Sequence, residues 1–548
     1  FATGPLTGIA LAGSRYLIIT KSPLTGFIAN ANSGGYFGPM MKFAGYDMII
    51  FEGRSEKPVY LAVENGDVSI RPADHLWGKS TVETEDLVKE EVGEPWRARD
   101  TRVACIGPAG ERMVRFACVM NDKHRAAGRG GIGAVMGSKN LKALSVWGTK
   151  SLTVADGETF REAYMALSES VSKHPRTSAD HPTSYASQGS ARSVGFCYPK
   201  GIVPYRNFQG GQNPEIEKIG PETLMSTLFI QKASCFNCPI GCRRMTAVTV
   251  PGLEGDGQGP EYEAIALFGS SCDVNDLPAV AKASYICNEL GMDTMDMAGT
   301  VACAMELFER GYLTEKDVGF PLNFGNAEAM IELVRRTGLR DGFGDIMAEG
   351  GYRMAEKYGH PELFMGVKKQ GFAGYDPRAM KGMGLGYATS NRGACHCRTG
   401  IAAAEMSDTY ATEGKPAMLK QAQDMRAVID SSGLCMRGPL GSNDTPQTTL
   451  SMLAPIVGAG YDLKSMLLTG ERIWNLERIY NLKVGLRMED DFLPPRMMEE
   501  PIPDGPAKGL VHELHMMLAE YYSVRGWDEK GVHTREKLEE LGLTDLRV

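Results

Sequence analysis

Up to about residue 150 the chain alternates short apolar runs with glycine-rich polar breaks: Tyr16–Thr20, Asp47–Phe51, Val59–Val63, Val103–Ile106, Phe116–Val119 and Ala143–Val146. Runs this short, rich in Val, Ile, Tyr and Phe and bounded by turn formers, read as strands. Between them, Thr25-Gly26, Asn32-Ser33-Gly34-Gly35 and Arg125-Ala-Ala-Gly-Arg-Gly-Gly131 read as loops whose glycines let backbone amides approach a phosphate closely. From about residue 155 the apolar period becomes helical, as over Gly157–Lys173, Pro278–Leu290, Met297–Arg310, Ala327–Arg336 and Lys415–Ile429. Breaks fall near 150 and over the Gly-rich stretch Gly371–Gly386, and Leu493-Pro-Pro-Arg and Pro501-Ile-Pro-Asp-Gly-Pro mark an extended segment. The pattern predicts an α+β chain: a β-rich N-terminal domain over 1–150, then two mainly α-helical domains over 151–370 and 371–548.

Composition narrows the class. With 548 residues, 43% of them hydrophobic, the chain can bury several cores. The net charge of −8 comes with no Lys/Arg-rich tract, which argues against nucleic acid as a partner. No apolar stretch approaches the ~20 residues that span a bilayer. The chain opens on Phe1 inside a strand-rich region, so the native N-terminus is expected upstream and a signal peptide stays open. Its 12 cysteines lack the dense pairing of small secreted scaffolds, which favours a reducing compartment and makes the cytoplasm the default.

The informative cysteines are Cys235, Cys238 and Cys242, three thiols on one short loop. That spacing suits an iron–sulfur cluster and hence electron transfer, with Cys435 the best candidate for the fourth ligand. A zinc site also uses closely spaced cysteines, although it usually shows two separated ligand pairs, and three unrelated buried cysteines are the bland alternative. One internal echo accompanies the loop: Asn288-Glu-Leu-Gly-Met-Asp293 has the layout of Asp430-Ser-Ser-Gly-Leu-Cys435. Each places a polar side chain and a Gly-apolar turn at a helix end, which either grips a heterocycle or is an ordinary helix C-cap.

With Thr7-Gly8, Ser14-Arg15, Lys21-Ser-Pro-Leu-Thr-Gly26, Phe43-Ala-Gly-Tyr-Asp47 and Gly259-Pro-Glu-Tyr-Glu263, these motifs run in order along the whole chain. In that order they resemble the tungsten-containing aldehyde:ferredoxin oxidoreductase family of tungstopterin enzymes. The resemblance implies a β-rich base for a tungsten bis-pterin cofactor, with Arg15, Asn32 and Gly34 lining it. Asn288, Met292, Asp293, Asp430 and Leu434 of the paired motifs would grip the two pterins, and Arg398 would be a basic neighbour. Asn288 stands where the family usually has Asp, so one charge is lost while hydrogen bonding is kept. Arg125 would pair with a pterin phosphate, and the carbonyls of Asn32 and Ala126 would reach a Mg²⁺ bridging the two phosphates. A solvated charged loop is the plain alternative for Arg125 and Arg129.

The same resemblance implies a [4Fe-4S] cluster on Cys235, Cys238, Cys242 and Cys435. It also marks His396, in Asn391-Arg-Gly-Ala-Cys-His-Cys-Arg398, and Glu263 as the catalytic pair. Glu261 is the second candidate, because an insertion between Cys242 and Gly259 blurs the register. The implied reaction is reversible oxidation of an aldehyde to a carboxylic acid. Glu263 would activate water, His396 would stabilise the oxyanion or relay its proton, and electrons would leave to ferredoxin or an iron–sulfur subunit. Two other readings stand beside it: the catalytic subunit of a tungsten-dependent benzoyl-CoA-type reductase, for which Cys272 is the thiol to watch, and a zinc-stabilised scaffold without activity. Molybdenum is a less favoured metal for the same dithiolenes. The helix bearing Ala281-Lys-Ala-Ser-Tyr285 lacks the Glu and His with which some family members share an iron ion between subunits, so a homodimer or hetero-oligomer would form by other contacts.

Overall fold

A computed structural model describes residues 1–442, 444–458 and 460–546. Strands β1 (Ala2–Thr3), β2 (Tyr16–Lys21) and β3 (Ile28–Ser33) form an antiparallel sheet in which Leu17 faces Asn32. A second sheet contains β4 (Val59–Glu64), β5 (Asp67–Pro72), β6 (Arg102–Cys105), β7 (Val119–Asn121), β8 (Arg125–Ala127) and β9 (Leu141–Trp147). Its order is β5-β4-β9-β6-β7-β8, with β4 and β9 the parallel pair. The central strand β9 is buried nearly throughout, whereas the edge strand β5 is largely exposed. The β4–β5 turn is Asn65-Gly66, both at positive φ, which is the two-residue turn whose twist matches a hairpin. Tyr16, Phe37, Val119, Leu144 and Val146 belong to the apolar core of this β-rich part.

Beyond it the chain is mainly helical. The helices that shape the site are Leu277–Leu290, Thr294–Glu309, Lys381–Thr389, Lys415–Ser432 and Leu463–Lys483. Three expectations need correction. The run Asp47–Phe51 is no strand: Met48 bridges Ala2 alone, and Ile50 is 74% exposed. Phe116 turns into the helical core instead of starting a strand, so pairing begins at Val119. The segments around Asn32 and Ala126, read as loops, lie within β3 and β8.

A third sheet also interrupts the helical region: β10 (Phe229–Ala233), β11 (Arg243–Val248) and β12 (Gly255–Gln258). The Gly371–Gly386 break likewise hides part of a helix. In Lys381–Thr389 glycine propensity is overridden by packing, since a Cβ on Gly384 or Gly386 would lie 2.3 Å from His512 or Thr399. Among the described residues no helix is long and apolar enough to cross a membrane.

The helical part also buries charge. Asp491 is fully enclosed and accepts from Lys368 Nζ, Arg478 Nη1 and the Tyr522 hydroxyl, each at 2.7 Å. Burial pushes its carboxyl up, but Arg478 and Lys368 outweigh that and hold it below the usual range. Removing the carboxylate in Asp491→Ala leaves Lys368 and Arg478 buried with backbone carbonyl partners but no counter-charge, an expected loss of about 3–5 kcal/mol. Calorimetry should show it as a lowered apparent Tm.

Candidate active site

The hairpin β10–β11 explains where the three clustered cysteines sit. Ala233 pairs with Arg243, so residues 234–242 form the loop between the two strands. The next hairpin brings the chain back through β12, where Gln258 pairs with Met245 and the Gly259 amide donates to Arg244 O at 2.9 Å, and on to Glu261 and Glu263, so one small sheet presents the thiols and the carboxylates at the same end. After Glu263 the helix widens into a buried π-helix over Ile265–Ser271, a winding that recurs at functional sites.

A cavity of about 340 Å³ lies against these elements. Arg15, Asn32, Gly34, Arg125 and Ala126 line it from the β-rich part; Glu261, Glu263, Asn288, Met292, Asp293, His396, Arg398 and Asp430 line it from the helical part. Both echoed motifs are helix C-caps, with Gly291 and Gly433 in the left-handed conformation at φ +75° and +86°, and both border the cavity. The two readings of that motif therefore describe the same backbone. A Cβ on Gly433 would stand 2.1 Å from Thr7 Oγ1, which ties this turn to the N-terminal segment. Leu434 is the exception among the expected contacts: its side chain is 1% exposed and packs into an apolar cluster with Leu6 and Leu11, not the cavity.

The walls are cationic. Seven arginines line the cavity against four carboxylates, and Arg392, Arg426 and Arg437 are additions that sequence reasoning passed over. Asp430 accepts from Arg398 Nη1 at 3.2 Å and forms an ion pair with Arg426, whose Nε lies 3.0 Å away without hydrogen-bond alignment, and Asn32 Nδ2 lies at 3.4 Å. Burial alone would raise Asp430; Arg426 and Arg398 reverse that and hold it ionised below the usual carboxylate range. Asp293 caps the helix Thr294–Glu309 and receives Arg129 Nε at 3.0 Å, so Arg129 is a buried partner, not a solvated loop charge. Two nitrogens of Arg125, Arg392 Nε and Arg15 Nε are buried without an intramolecular partner. Buried guanidinium groups left with free donors fit a polyanionic organic ligand that supplies the missing acceptors.

Glu263 and His396 face each other across one side, with Oε1 and Nε2 3.4 Å apart and without hydrogen-bond alignment. Glu263 Oε2 is fixed by the Gly374 amide at 2.7 Å, and the His396 ring lies 5.7 Å from that of Tyr375. Glu261 is differently placed, since Gln258 Nε2 at 2.7 Å and the Ser190 hydroxyl occupy both of its oxygens. Cys272, by contrast, is fully buried, its thiol 3.8 Å from the Ala298 carbonyl, and does not line the cavity.

Cys435 closes on the cysteine loop: its amide donates to Ala12 O at 2.9 Å, and the Ala12 amide donates to Asn237 O at 2.8 Å. Arg15 donates through Nη1 to Asn32 Oδ1 at 3.1 Å and through Nη2 to Cys435 Sγ at 3.2 Å, so one side chain touches cavity and thiols. Arg437 donates to Cys242 Sγ at 2.8 Å. Burial opposes the Cys435 thiolate, yet Arg15 and Arg437 bring that thiol down to about 7; Cys238, buried and crowded by Cys435, Cys235 and Cys242, is pushed up to about 12. A Cβ on Gly34 would sit 3.2 Å from Cys235 Sγ and 3.3 Å from the Arg15 guanidinium carbon, so the backbone passes close to both side chains there. Among the described residues no three His, Cys, Asp or Glu gather tightly enough for one ion.

A cationic cavity in which a carboxylate faces an imidazole, set against four neighbouring cysteines, fits an enzyme that holds an anionic cofactor. Residues 1–148 match the family model for the aldehyde ferredoxin oxidoreductase N-terminal domain, and residues 163–543 match that for domains 2 and 3. The chain belongs to the aldehyde ferredoxin oxidoreductase family.

It is 46% identical to the tungsten-containing aldehyde ferredoxin oxidoreductase of Pyrococcus horikoshii over 559 residues, covering 100% of this chain and 90% of that protein. It is 30% identical to the aliphatic sulfonate oxidoreductase WOR-like subunit of Pyrococcus furiosus, covering 100% of this chain and 88% of the other. The fold also matches the active-site complex BamBC of benzoyl coenzyme A reductase, solved with 1,5-dienoyl-CoA, at a TM-score of 0.83 and 26% identity over 100% of this chain and 89% of that one.

Proposed function

We propose that the protein oxidises an aldehyde reversibly to the carboxylic acid, with water as the oxygen source. A [4Fe-4S] cluster held by Cys235, Cys238, Cys242 and Cys435 would supply the one-electron relay to ferredoxin or an iron–sulfur partner subunit. The observation that carries this reading is the Glu263–His396 pair facing one cationic cavity, with Arg15 joining that cavity to Cys435. Names of relatives at 44–46% identity supply the metal and the substrate class.

Bound in the cavity, a tungsten bis-pterin would supply a two-electron acceptor able to release electrons singly. Asn288, Met292, Asp293, Asp430 and Arg398 would hold the pterins, and Arg125 would hold a phosphate. Carbonyls of Asn32 and Ala126 would serve a bridging Mg²⁺, a cation that prefers oxygen ligands beside phosphates. Glu263 Oε1, the oxygen left free by the Gly374 amide, takes a proton from the water that attacks the aldehyde carbon. His396 Nε2 donates to the developing oxyanion and carries the proton onward. Overall, aldehyde and water give acid, two protons and two electrons. Glu261, already tied to Ser190 and Gln258, positions the strand end instead. The cytoplasm is the expected location.

The likeness to the BamBC complex keeps ring reduction of an aryl-CoA as a second reading. Anaerobic assay with a panel of aldehydes and with benzoyl-CoA, viologen as acceptor, decides between them. Aldehyde turnover with tungsten and about four iron atoms per chain supports the proposal. Turnover of neither substrate, or zinc alone on elemental analysis, would remove it, and molybdenum in place of tungsten would correct the metal. Cys435→Ser is expected to cut bound iron and the cluster's visible absorbance at least twofold at unchanged expression; full iron content in that variant would exclude Cys435 as a ligand.

A further inference from the structure

Of the cysteines outside the cluster set, Cys105, Cys118, Cys197, Cys272, Cys287 and Cys303 are wholly buried, and burial drives each thiol up. Such thiols are inert. Cys395 and Cys397 are different, because both border the cavity and flank His396 with that one residue between them. Arg392 Nη2 donates to Cys395 Sγ at 2.7 Å, and Cys397 Sγ lies 3.2 Å from His396 Nε2.

We propose that Cys395 and Cys397 are a reversible oxidative modification site, at which a peroxide converts the two thiols into an intrachain disulfide that spans His396 and disables it. Cys397 is the attacking sulfur. The hydrogen bond from Cys395, then the charges of Arg426 and Arg392, bring its thiol down to about 6 against the opposing effect of burial, whereas burial keeps Cys395 up at about 11. The Cys397 thiolate attacks one peroxide oxygen, the O–O bond breaks, and a sulfenic acid and hydroxide form. Cys395 then attacks the Cys397 sulfur, the S–O bond breaks, and hydroxide leaves with a proton as water. In sum, two thiols and one hydrogen peroxide give one disulfide and two waters, the sulfurs losing the two electrons that the peroxide gains. Cys395 caps the helix His396–Thr399 with extended backbone, at φ −152° and ψ 113°. Joining the residues on either side of His396 re-aims its ring, and the 3.4 Å approach to Glu263 is lost. That last consequence rests on the aldehyde-oxidising reading; the disulfide itself does not.

Trypsin releases both thiols in one peptide, Gly393–Arg398, which holds no other cysteine. Holoprotein is treated with hydrogen peroxide under anaerobic conditions, denatured in iodoacetamide and digested. The expected peptide is two hydrogens lighter and unalkylated, its doubly alkylated form falls at least about tenfold, and dithiothreitol restores both that form and aldehyde oxidation. In Cys395→Ser the same dose should add oxygen to Cys397 beyond recovery by dithiothreitol. The proposal is overturned if the wild-type peptide stays doubly alkylated after peroxide, if the disulfide forms while turnover persists, or if Cys395→Ser recovers as the wild type does. A preparation that oxidises no aldehyde would defeat the functional reading, and the peptide mass would still decide the oxidation site.

Discussion

Glu263→Gln is expected to lower kcat for aldehyde oxidation by about 10²–10⁴-fold, the range for removing a positioned general base. Tungsten and iron content should not change, because the carboxylate Oε1 faces His396 and Oε2 accepts only the Gly374 amide. The amide of glutamine keeps the shape and one acceptor but cannot take a proton from water. Glu261→Gln is the matched control: its two oxygens are held by Gln258 and Ser190, so the loss in kcat should be much smaller. Equal losses in the two variants would mean that Glu263 has no special place in proton transfer. Measuring kcat and KM separately by viologen reduction, alongside metal analysis, separates loss of chemistry from loss of cofactor.

Asp430→Ala should have the second large effect, on assembly more than on chemistry. The side chain is 4% exposed and pairs with Arg426 and Arg398, so its removal leaves Arg426 buried without a carboxylate partner, while Arg398 keeps Glu477 at 2.8 Å. Truncating one member of such a set costs about 3–5 kcal/mol. Purified protein should carry less tungsten and unfold at lower temperature, both read on the same preparation. Retention of full tungsten content would show that this end of the cavity does not hold the cofactor.

The pH dependence follows from the same pairings. Asp430 and Asp491 have folded pKa values below their unfolded ones. Their stabilisation is complete above the unfolded carboxylate value of about 3.9 and is lost as pH falls through the lower folded values. Acid-induced unfolding of the double variant Asp430→Asn, Asp491→Asn should accordingly vary less steeply with pH below 4 than that of the wild type.

Much of this site was legible from residue order alone. The triplet Cys235, Cys238 and Cys242, the paired turns at Gly291 and Gly433, and His396 between two cysteines all carry local signals that survive without coordinates. What stayed hidden depends on long-range pairing. Strands β10 to β12 are short, polar and partly exposed, so no alternation announces them, and β3 was masked by the Asn and Gly residues that later serve the cavity. The Asn65-Gly66 signal was available and names a hairpin outright. Arg426 lies one helical turn before Asp430, and Arg437 two residues after Cys435, spacings that point at the site once those partners are chosen. Leu434 went the other way. Its place beside a polar grip suggested a ligand contact, but an apolar side chain at a helix end gains more by entering the core.

The stitch from Asn237 through Ala12 to Cys435 has a biosynthetic implication. Three stretches of polypeptide, each about two hundred positions from the next on the ribosome's output, must meet to bring the last thiol into place. A nascent chain halted before residue 435 therefore owns three of the four neighbouring cysteines and lacks Arg437 from the cavity wall. On the proposed function, iron and sulfide find a complete set of four thiols only once residue 435 has been made, and a chain truncated before it should yield colourless protein.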